Sequence, residues 1–313
     1  MPFDFSAVKA PFRMQPGLRR LADGADQLTP NQVDSRALHE KLKVLASHAD
    51  QALLAAPGFD PAPSLHALAQ HAATEQPAAF VWDGAGRFDA PQLGWSLQDD
   101  RPVGTGPQPI GVCLQALPAE WRLAALLSLS FAEDFAIIDG NTGHIPWLAV
   151  CLPSHWAPEQ KVGRHFAEVH APVADNQLLI TAADHLARLV TGTERWERFV
   201  WTITRHANLD SHPQRCAPGS WPSHADADAL AAQAFFRTER QTFIPLPAHR
   251  QAIFTIHVDV QPLAQAIDST AQAQPLHDAL ASMSDSVLAY RSLTSVRNRL
   301  LSWLAARARM PAE

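Results

Sequence analysis

The sequence predicts an α+β fold in which helices surround an antiparallel sheet, and two kinds of apolar pattern lead to this prediction. Three segments in the second half of the chain place alternate residues on one face, as β-strands do. Segments before, between and after them repeat apolar residues at helical spacing. The strand residues that share a face are Phe199, Trp201 and Ile203, then Phe235, Arg237, Glu239, Gln241 and Phe243, then Phe254, Ile256 and Val258.

The N-terminal third begins with a predicted irregular arm, residues 1–35, which contains four prolines. A predicted amphipathic helix follows, with its apolar face on Leu38, Leu42, Leu45, Ala49 and Leu53. Residues 56–117 are rich in proline and glycine and carry short apolar runs, for which we predict strands and loops.

The middle of the chain predicts helices at residues 118–129, 158–169 and 182–190. Between the first two, the apolar runs 135–138 and 146–152 flank a turn sequence, Asp-Gly-Asn-Thr-Gly, which is typical of a β-hairpin. The chain ends in a predicted helix with an apolar stripe and basic residues near its C-terminus. The stripe consists of Leu293, Val296, Leu300 and Leu304, and the basic residues are Arg307 and Arg309.

Composition excludes several classes of protein. With 47% apolar and 18% charged residues, the 313-residue chain can bury a large core, and we expect residues 1–313 to form one domain. A net charge of −6 and the lack of a basic patch argue against nucleic-acid binding. Three widely spaced cysteines indicate no disulfide framework and no cysteine zinc site. No long apolar run predicts a membrane span, so we expect a cytoplasmic protein.

Common catalytic motifs do not fit this sequence. The Gly-rich segments at 84–86 and 104–106 lack the third glycine of a dinucleotide loop, and no Gly-x-Ser-x-Gly or His-Glu-x-x-His motif occurs. His165 and His170 are five residues apart, so on an ideal helix they would not face one metal.

Four segments nevertheless resemble the signature of the haem-dependent oxidative N-demethylase family. The first is Ala-Glu-Asp-Phe-Ala-Ile-Ile at 132–138. The second is Cys-Leu-Pro-Ser-His-Trp at 151–156, followed by Lys-Val-Gly-Arg at 161–164 and Val-His-Ala-Pro-Val at 169–173. The third and fourth are Arg-Phe-Val-Trp-Thr-Ile at 198–203 and Phe-Arg-Thr-Glu-Arg-Gln-Thr-Phe at 236–243, the latter followed by Leu246-Pro247 and Phe254-Thr255-Ile256. The four segments occur in the family's order, and the resemblance covers roughly residues 10–305, nearly the whole chain.

The resemblance implies a PAS-like fold that holds haem b and oxidises a secondary amine with O2, giving a primary amine and formaldehyde. Electrons would come from NADPH through a separate flavin and iron–sulfur reductase subunit. The family usually has Asn at position 200 and Arg at 257, where this chain has Val200 and His257. Both positions are close to the expected pocket, so these departures concern the substrate more than the fold.

Six residues are candidates for the site. His170 is the candidate iron ligand, because it follows a helix whose last carbonyls can accept from its second ring nitrogen; the alternative is a buried histidine that caps that helix. Arg237 and Arg240, with Arg198 on the neighbouring strand, are candidates for holding haem propionates, or else form ordinary ion pairs.

Glu239 is the candidate catalytic carboxylate, which would bind the amine or relay protons, or else pairs with Arg198 or Arg240. Trp201 belongs to the core or stacks on the macrocycle. Of Glu133 and Asp134, at most one can reach the pocket, because they are neighbours on a strand. Two other functions remain open: a haem-binding sensor or carrier without turnover, and a haem-free scaffold subunit of the same fold.

Overall fold

A computed structural model describes residues 3–217 and 219–309, and it confirms the α+β prediction. Its strands are β1 (Arg19–Arg20), β2 (Leu53–Ala55), β3 (Val81–Trp82), β4 (Phe88–Ala90), β5 (Trp95–Gln98), β6 (Arg101–Gly104), β7 (Asp134–Asp139), β8 (Trp147–Ala149), β9 (Trp196–Thr204), β10 (Phe235–Leu246) and β11 (Gln251–Pro262). Its helices are α1 (Arg36–Ala52), α2 (Ala62–Glu75), α3 (Gln108–Ala116), α4 (Ala119–Ser130), α5 (Phe166–His170), α6 (Gln177–Thr181), α7 (Ala183–Val190), α8 (Ala227–Ala231), α9 (Leu263–Ala266), α10 (Thr270–Ala281), α11 (Asp285–Tyr290) and α12 (Arg297–Arg307).

The main sheet has seven strands in the order β1-β9-β10-β11-β7-β8-β2, and all the pairs are antiparallel. The hairpin predicted around residues 139–143 is the β7–β8 pair. Strands β10 and β11 pair over twelve residues, and nine residues of β10 also pair with β9. The centre of the sheet is therefore fixed by two long ladders, whose register decides which side chains share a face.

Each face of the main sheet packs against its own set of helices. On one face, Phe135 and Ile137 belong to a core that includes residues of α1, α2 and α4 and the small sheet β3-β4-β5-β6. On the other face, Ile138 packs with Ala187 and Val190 of α7. A separate core joins Trp201 and other residues at the far end of the sheet to helices α8 to α12. The face that bears Phe135 and Ile137 is called the far face below, and the face that bears Ile138 is called the cavity face.

Three of the predicted elements differ in the structure. Residues 56–117, expected as strands and loops, also contain α2 and α3. In α2 the buried residues Leu65, Leu68, Ala69 and Ala72 recur at helical spacing, a period that the many prolines obscured. The helix expected at 158–169 is broken into a 3-10 turn, Pro158–Gln160, and α5, because Gly163 between them has a φ of +72° that no helix accommodates.

The third difference lies near the C-terminus, where α12 begins only at Arg297. Leu293 and Val296 precede it but are fully buried in the same core. The arm at residues 3–35 is largely irregular, as predicted, apart from one 3-10 turn and strand β1. No helix within the described ranges is long and apolar enough to cross a membrane.

Candidate functional site

A cavity of about 910 Å³ lies on the cavity face of the main sheet. Its walls include residues of β7 to β11, helix α5, the segment after β9 and part of the N-terminal arm. The volume falls within the range of pockets that hold cofactors and other small molecules. The cavity is therefore the natural place to look for the predicted site residues.

The charge of this cavity is opposite to that of the whole chain. Among the described residues that line it, Glu239 is the only acidic one, whereas Lys161, Arg198, Arg205 and Arg291 are among the basic ones. The chain as a whole carries a net charge of −6. A positive cavity in an acidic protein favours ligands that carry negative charge.

His170 is the last residue of α5 and lines the cavity. Its Nδ1 lies 2.8 Å from the carbonyl oxygen of Phe166, one helical turn earlier. Because a carbonyl only accepts, Nδ1 carries the proton and Nε2 keeps a free lone pair. Burial lowers the pKa of His170 to about 4, so the ring is neutral at pH 7. A neutral imidazole with one nitrogen fixed by a carbonyl is the arrangement that metal-ligating histidines adopt.

Arg198 lies on β9 opposite Gln241 of β10 and faces the cavity. Some of its surface is accessible through the cavity, but its Nε is buried and makes no hydrogen bond within the described part of the chain. Burial lowers the pKa of this guanidinium, and the charge of Glu239 opposes that change. Buried polar groups are nearly always hydrogen-bonded, so this Nε is a donor that a ligand in the cavity could satisfy.

Arg237, in contrast, has no capacity left for a ligand. It is 1% exposed, its Nε donates to Ser154 Oγ at 2.7 Å, and its Nη1 donates to Ser211 Oγ at 3.2 Å. The remaining N–H groups donate to carbonyl oxygens of the same two loops, those of Leu152, Pro153, Asn208 and Leu209. Arg237 thus joins loop 152–154 to loop 208–211, and the expectation that it holds a propionate is replaced by this structural role.

Arg240 lies on the far face, because side chains alternate along β10. Its Nε pairs with Glu197 at 3.0 Å and its Nη1 donates to the carbonyl of Asp26 at 2.7 Å. It is absent from the cavity lining, so the expectation that it contacts the cofactor is wrong and the ion-pair alternative describes it.

Trp201 borders the cavity, but it is 4% exposed and belongs to the core formed with α8 to α12. Arg291 lies 5.2 Å from its ring centroid, and the ring of Phe12 meets it edge-on at 5.9 Å. These contacts occupy the ring, and they favour the core alternative over stacking on the macrocycle.

Glu239 is buried at the centre of β10, opposite Val200 of β9 and Val258 of β11. One carboxylate oxygen, Oε2, accepts a hydrogen bond of 2.5 Å from Gln241 Nε2. No hydrogen bond reaches Oε1 from the described residues, and no ion pair joins Glu239 to Arg198 or Arg240. The carboxylate therefore keeps one oxygen for a ligand in the cavity.

Glu133 and Asp134 are both outside the cavity lining. Glu133 binds His257 Nδ1 at 2.7 Å, and Asp134 accepts from the backbone N–H of Leu152 at 2.6 Å while Lys41 Nζ lies 3.2 Å away. Of the two departures from the family pattern, Val200 lines the cavity and His257 does not. Position 200 is thus the one that can influence the ligand.

Three further residues that the sequence analysis did not assign to the site, His155, Arg205 and His206, line the end of the cavity near Arg237. His155 has a φ of +63°, which few residues other than glycine adopt and which clusters at functional sites. Backbone strain leaves no sequence pattern. The adjacent basic residues Arg205 and His206, at the end of a strand in an acidic chain, could have indicated this part of the site.

Comparison with known proteins identifies the family of this chain. A family model described as haem-dependent oxidative N-demethylase, alpha subunit-like, matches residues 35–301, which is most of the chain. The match includes the loop that bears His155, helix α5 with His170, and the strands that bear Arg198 and Glu239. The chain therefore belongs to the haem-dependent oxidative N-demethylase alpha-subunit-like family.

Proposed function

We propose that this chain is the haem-binding catalytic subunit of an enzyme that removes a methyl group oxidatively from a small secondary amine. The observation that carries the proposal is His170, a neutral imidazole with Nδ1 held by the Phe166 carbonyl and Nε2 free in a residue that lines the cavity. A histidine nitrogen of this kind is a common protein ligand of haem iron. The family match supports haem dependence independently of this geometry.

The residues of the cavity fit haem b. His170 would ligate the iron through Nε2, and Arg198 would pair with a propionate, which supplies the acceptor that its buried Nε lacks. Arg198 also lies close enough to His170 to lower its pKa, after the larger effect of burial. When bound, the haem supplies the activation of O2 that the side chains of this cavity cannot perform.

The side chains of the cavity would bind and orient the amine. A secondary amine is a cation at pH 7, and Glu239 Oε1 is the free acidic acceptor for its N–H among the described lining residues. Gln241 holds the other carboxylate oxygen and so fixes the direction of the group. The apolar side chains of Val200, Phe254 and Ile256 line the same wall and limit the water around the amine.

The overall reaction balances with one O2, two electrons and two protons. An amine R–NH–CH3 gives R–NH2, formaldehyde and one water, since the hydroxylated N-methyl carbon separates from nitrogen as formaldehyde. The two electrons would come from NADPH through a separate flavin and iron–sulfur reductase subunit. The alpha-subunit description of the family supports an enzyme of more than one subunit.

A comparison of two histidines tests the proposal. His170→Ala should lose the ferric spectrum of the haem-loaded protein or the haem itself. His165→Ala is the matched control, because His165 is the N-cap of the same short helix but pairs through Nε2 with Asp184 at 3.1 Å and is absent from the cavity lining. An unchanged spectrum in His170→Ala would exclude His170 as the ligand. Haem binding without amine-dependent oxygen consumption would indicate a sensor or carrier instead.

A further inference from the structure

Besides His170 and Arg198, the cavity has a second group of polar residues. No ligand proposed so far accepts hydrogen bonds from this group. It consists of His155, Arg205 and His206 and is called the His155 end below. Arg205 follows directly after β9, seven residues beyond Arg198. At about 3.3 Å per residue along a strand, their backbones are roughly 20 Å apart. The His155 end is therefore a separate group from Arg198, the residue proposed above to pair with a haem propionate.

Each member of the His155 end presents a donor. The Nε of Arg205 is buried without a hydrogen bond from the described residues. The Nε2 of His206 accepts from the backbone N–H of Gly219 at 3.3 Å, which leaves the proton on Nδ1 free to be donated. No hydrogen bond within the described ranges reaches the ring of His155, which is accessible to solvent through the cavity. Three donors without an acceptor fit an anion, and the planar guanidinium favours a carboxylate.

The three residues act on one another electrostatically, so they form one group. Besides burial, Arg237 and His206 lower the pKa of His155, and Arg205 lowers the pKa of His206. Gly219 permits the close packing here, since a Cβ at that position would lie 3.2 Å from Arg205 Nη1 and from His206 Cε1. Glu239 is the only acidic side chain among the described lining residues, and no ion pair joins it to the His155 end.

The fold also stabilises the strained backbone of His155. Arg237, one of the most buried side chains of the protein, binds Ser154, and the backbone N–H of His155 donates to the Ser211 carbonyl at 3.2 Å. A left-handed backbone at a residue other than glycine is strained and persists where its surroundings enforce it. The buried arginine therefore positions His155 at the cavity.

We infer that the His155 end binds the carboxylate of the substrate, so that the preferred amine is an N-methylated amino acid and not a simple alkylamine. Glu239 and Arg237 are two residues apart on β10, about 7 Å along the strand. Arg237 in turn contacts the loop that bears His155. Glu239, Arg237 and this loop thus follow one another along the cavity, and an N-methylated amino acid whose ammonium group binds Glu239 Oε1 would direct its carboxylate towards the His155 end. This inference rests on the proposed function.

The test compares two amines on the haem-loaded protein by calorimetry. N-methylglycine should bind at least tenfold more tightly than dimethylamine, and Arg205→Gln should remove most of this preference while changing dimethylamine affinity less than twofold. Arg13→Gln is the matched control, because it removes the same charge from an exposed residue of the cavity lining. Hemin titration of each variant shows where the propionates lie, and thermal unfolding shows that the variants fold.

Three results would overturn the inference. Equal binding of the two amines by the wild type would exclude a carboxylate subsite. Weaker hemin binding in Arg205→Gln, with the preference for N-methylglycine intact, would assign the His155 end to a propionate. An equal loss of the preference in Arg13→Gln would show that the preference depends on the overall charge of the cavity and not on Arg205. The proposed function fails separately, if the wild type takes up no hemin at all.

Discussion

The two faces of the main sheet differ in whether their polar side chains have hydrogen-bond partners. On the far face, Thr242 and Thr255 hydroxyls lie 2.6 Å apart, and His257 pairs with Glu133. On the cavity face, Arg198 has a buried Nε without a partner, and Glu239 has a free oxygen. Both sets lie on the same ladders, so the strands themselves do not account for the difference.

Complete hydrogen bonding distinguishes the residues that stabilise the fold from the residues that are available to bind a ligand. A paired polar group on the far face contributes to stability, and its loss leaves a partner buried and unsatisfied. An unpaired group on the cavity face destabilises the empty protein until a ligand supplies its partner. The polar residues of one strand can therefore be sorted by whether their hydrogen bonds are complete. Arg237 is the exception on the cavity face, because all of its contacts are made to the protein.

Arg237→Met should give the largest effect. It removes a buried charge that holds two loops together and leaves several carbonyl groups without donors, so we expect a loss of about 3 to 5 kcal/mol in the free energy of unfolding. Urea unfolding of the purified apoprotein measures it. A loss below about 1 kcal/mol would show that the two loops hold their positions without the arginine.

His257→Ala should lower the free energy of unfolding by about 2 kcal/mol, because it leaves the buried Glu133 carboxylate without its partner. Hemin affinity should stay within twofold of the wild type, since His257 lies on the far face. Loss of hemin affinity in a folded variant would contradict the separation of the two faces.

Glu239→Gln should leave haem content and melting temperature near those of the wild type, while amine-dependent oxygen consumption falls about tenfold or more. The substitution keeps the shape and removes the charge that binds the amine. Loss of haem or of folding would make Glu239 structural instead. Normal turnover would show that it does not bind the amine, and Glu133 and Asp134 could not replace it, because both are paired outside the cavity.

Arg198→Leu should differ in sign from Arg237→Met. Removing an unpaired buried charge should leave the unfolding free energy of the apoprotein unchanged or raise it by up to about 2 kcal/mol. The same variant should bind hemin more weakly, because a propionate loses its partner. Destabilisation of the apoprotein would show that Arg198 already has a structural role.

Acid should destabilise the apoprotein by a small amount through His170. Burial lowers its pKa to about 4 from the usual 6.5, so its contribution is complete above pH 6.5 and is lost as the pH falls towards 4. Allowing for partial exposure, we expect a loss of about 1 kcal/mol over this range. Urea unfolding at pH 7, 5.5 and 4.5 should show a shallower dependence for His170→Ala than for the wild type.

The periodic patterns of the sequence predicted the long strands and helix α1 because burial on one face imposes a period on apolar residues. They missed α2 and α3, where prolines at the helix starts resembled loop signals. For the site, the residues of β10 could be placed on faces from alternation alone. The partners of Arg237 and Arg240 could not be predicted, because those partners lie in segments that are distant in sequence. The strained backbone of His155 has no sequence signature.

Hemin titration of the apoprotein, followed in the Soret region, measures whether the cavity binds haem. We expect saturation at about one haem per chain, since the cavity offers His170 as the iron ligand and Arg198 as the partner of a propionate. Bound haem should also raise the melting temperature, because it binds only the folded protein. A flat visible spectrum after reconstitution, with the protein still folded, would show that the cavity is not a haem site.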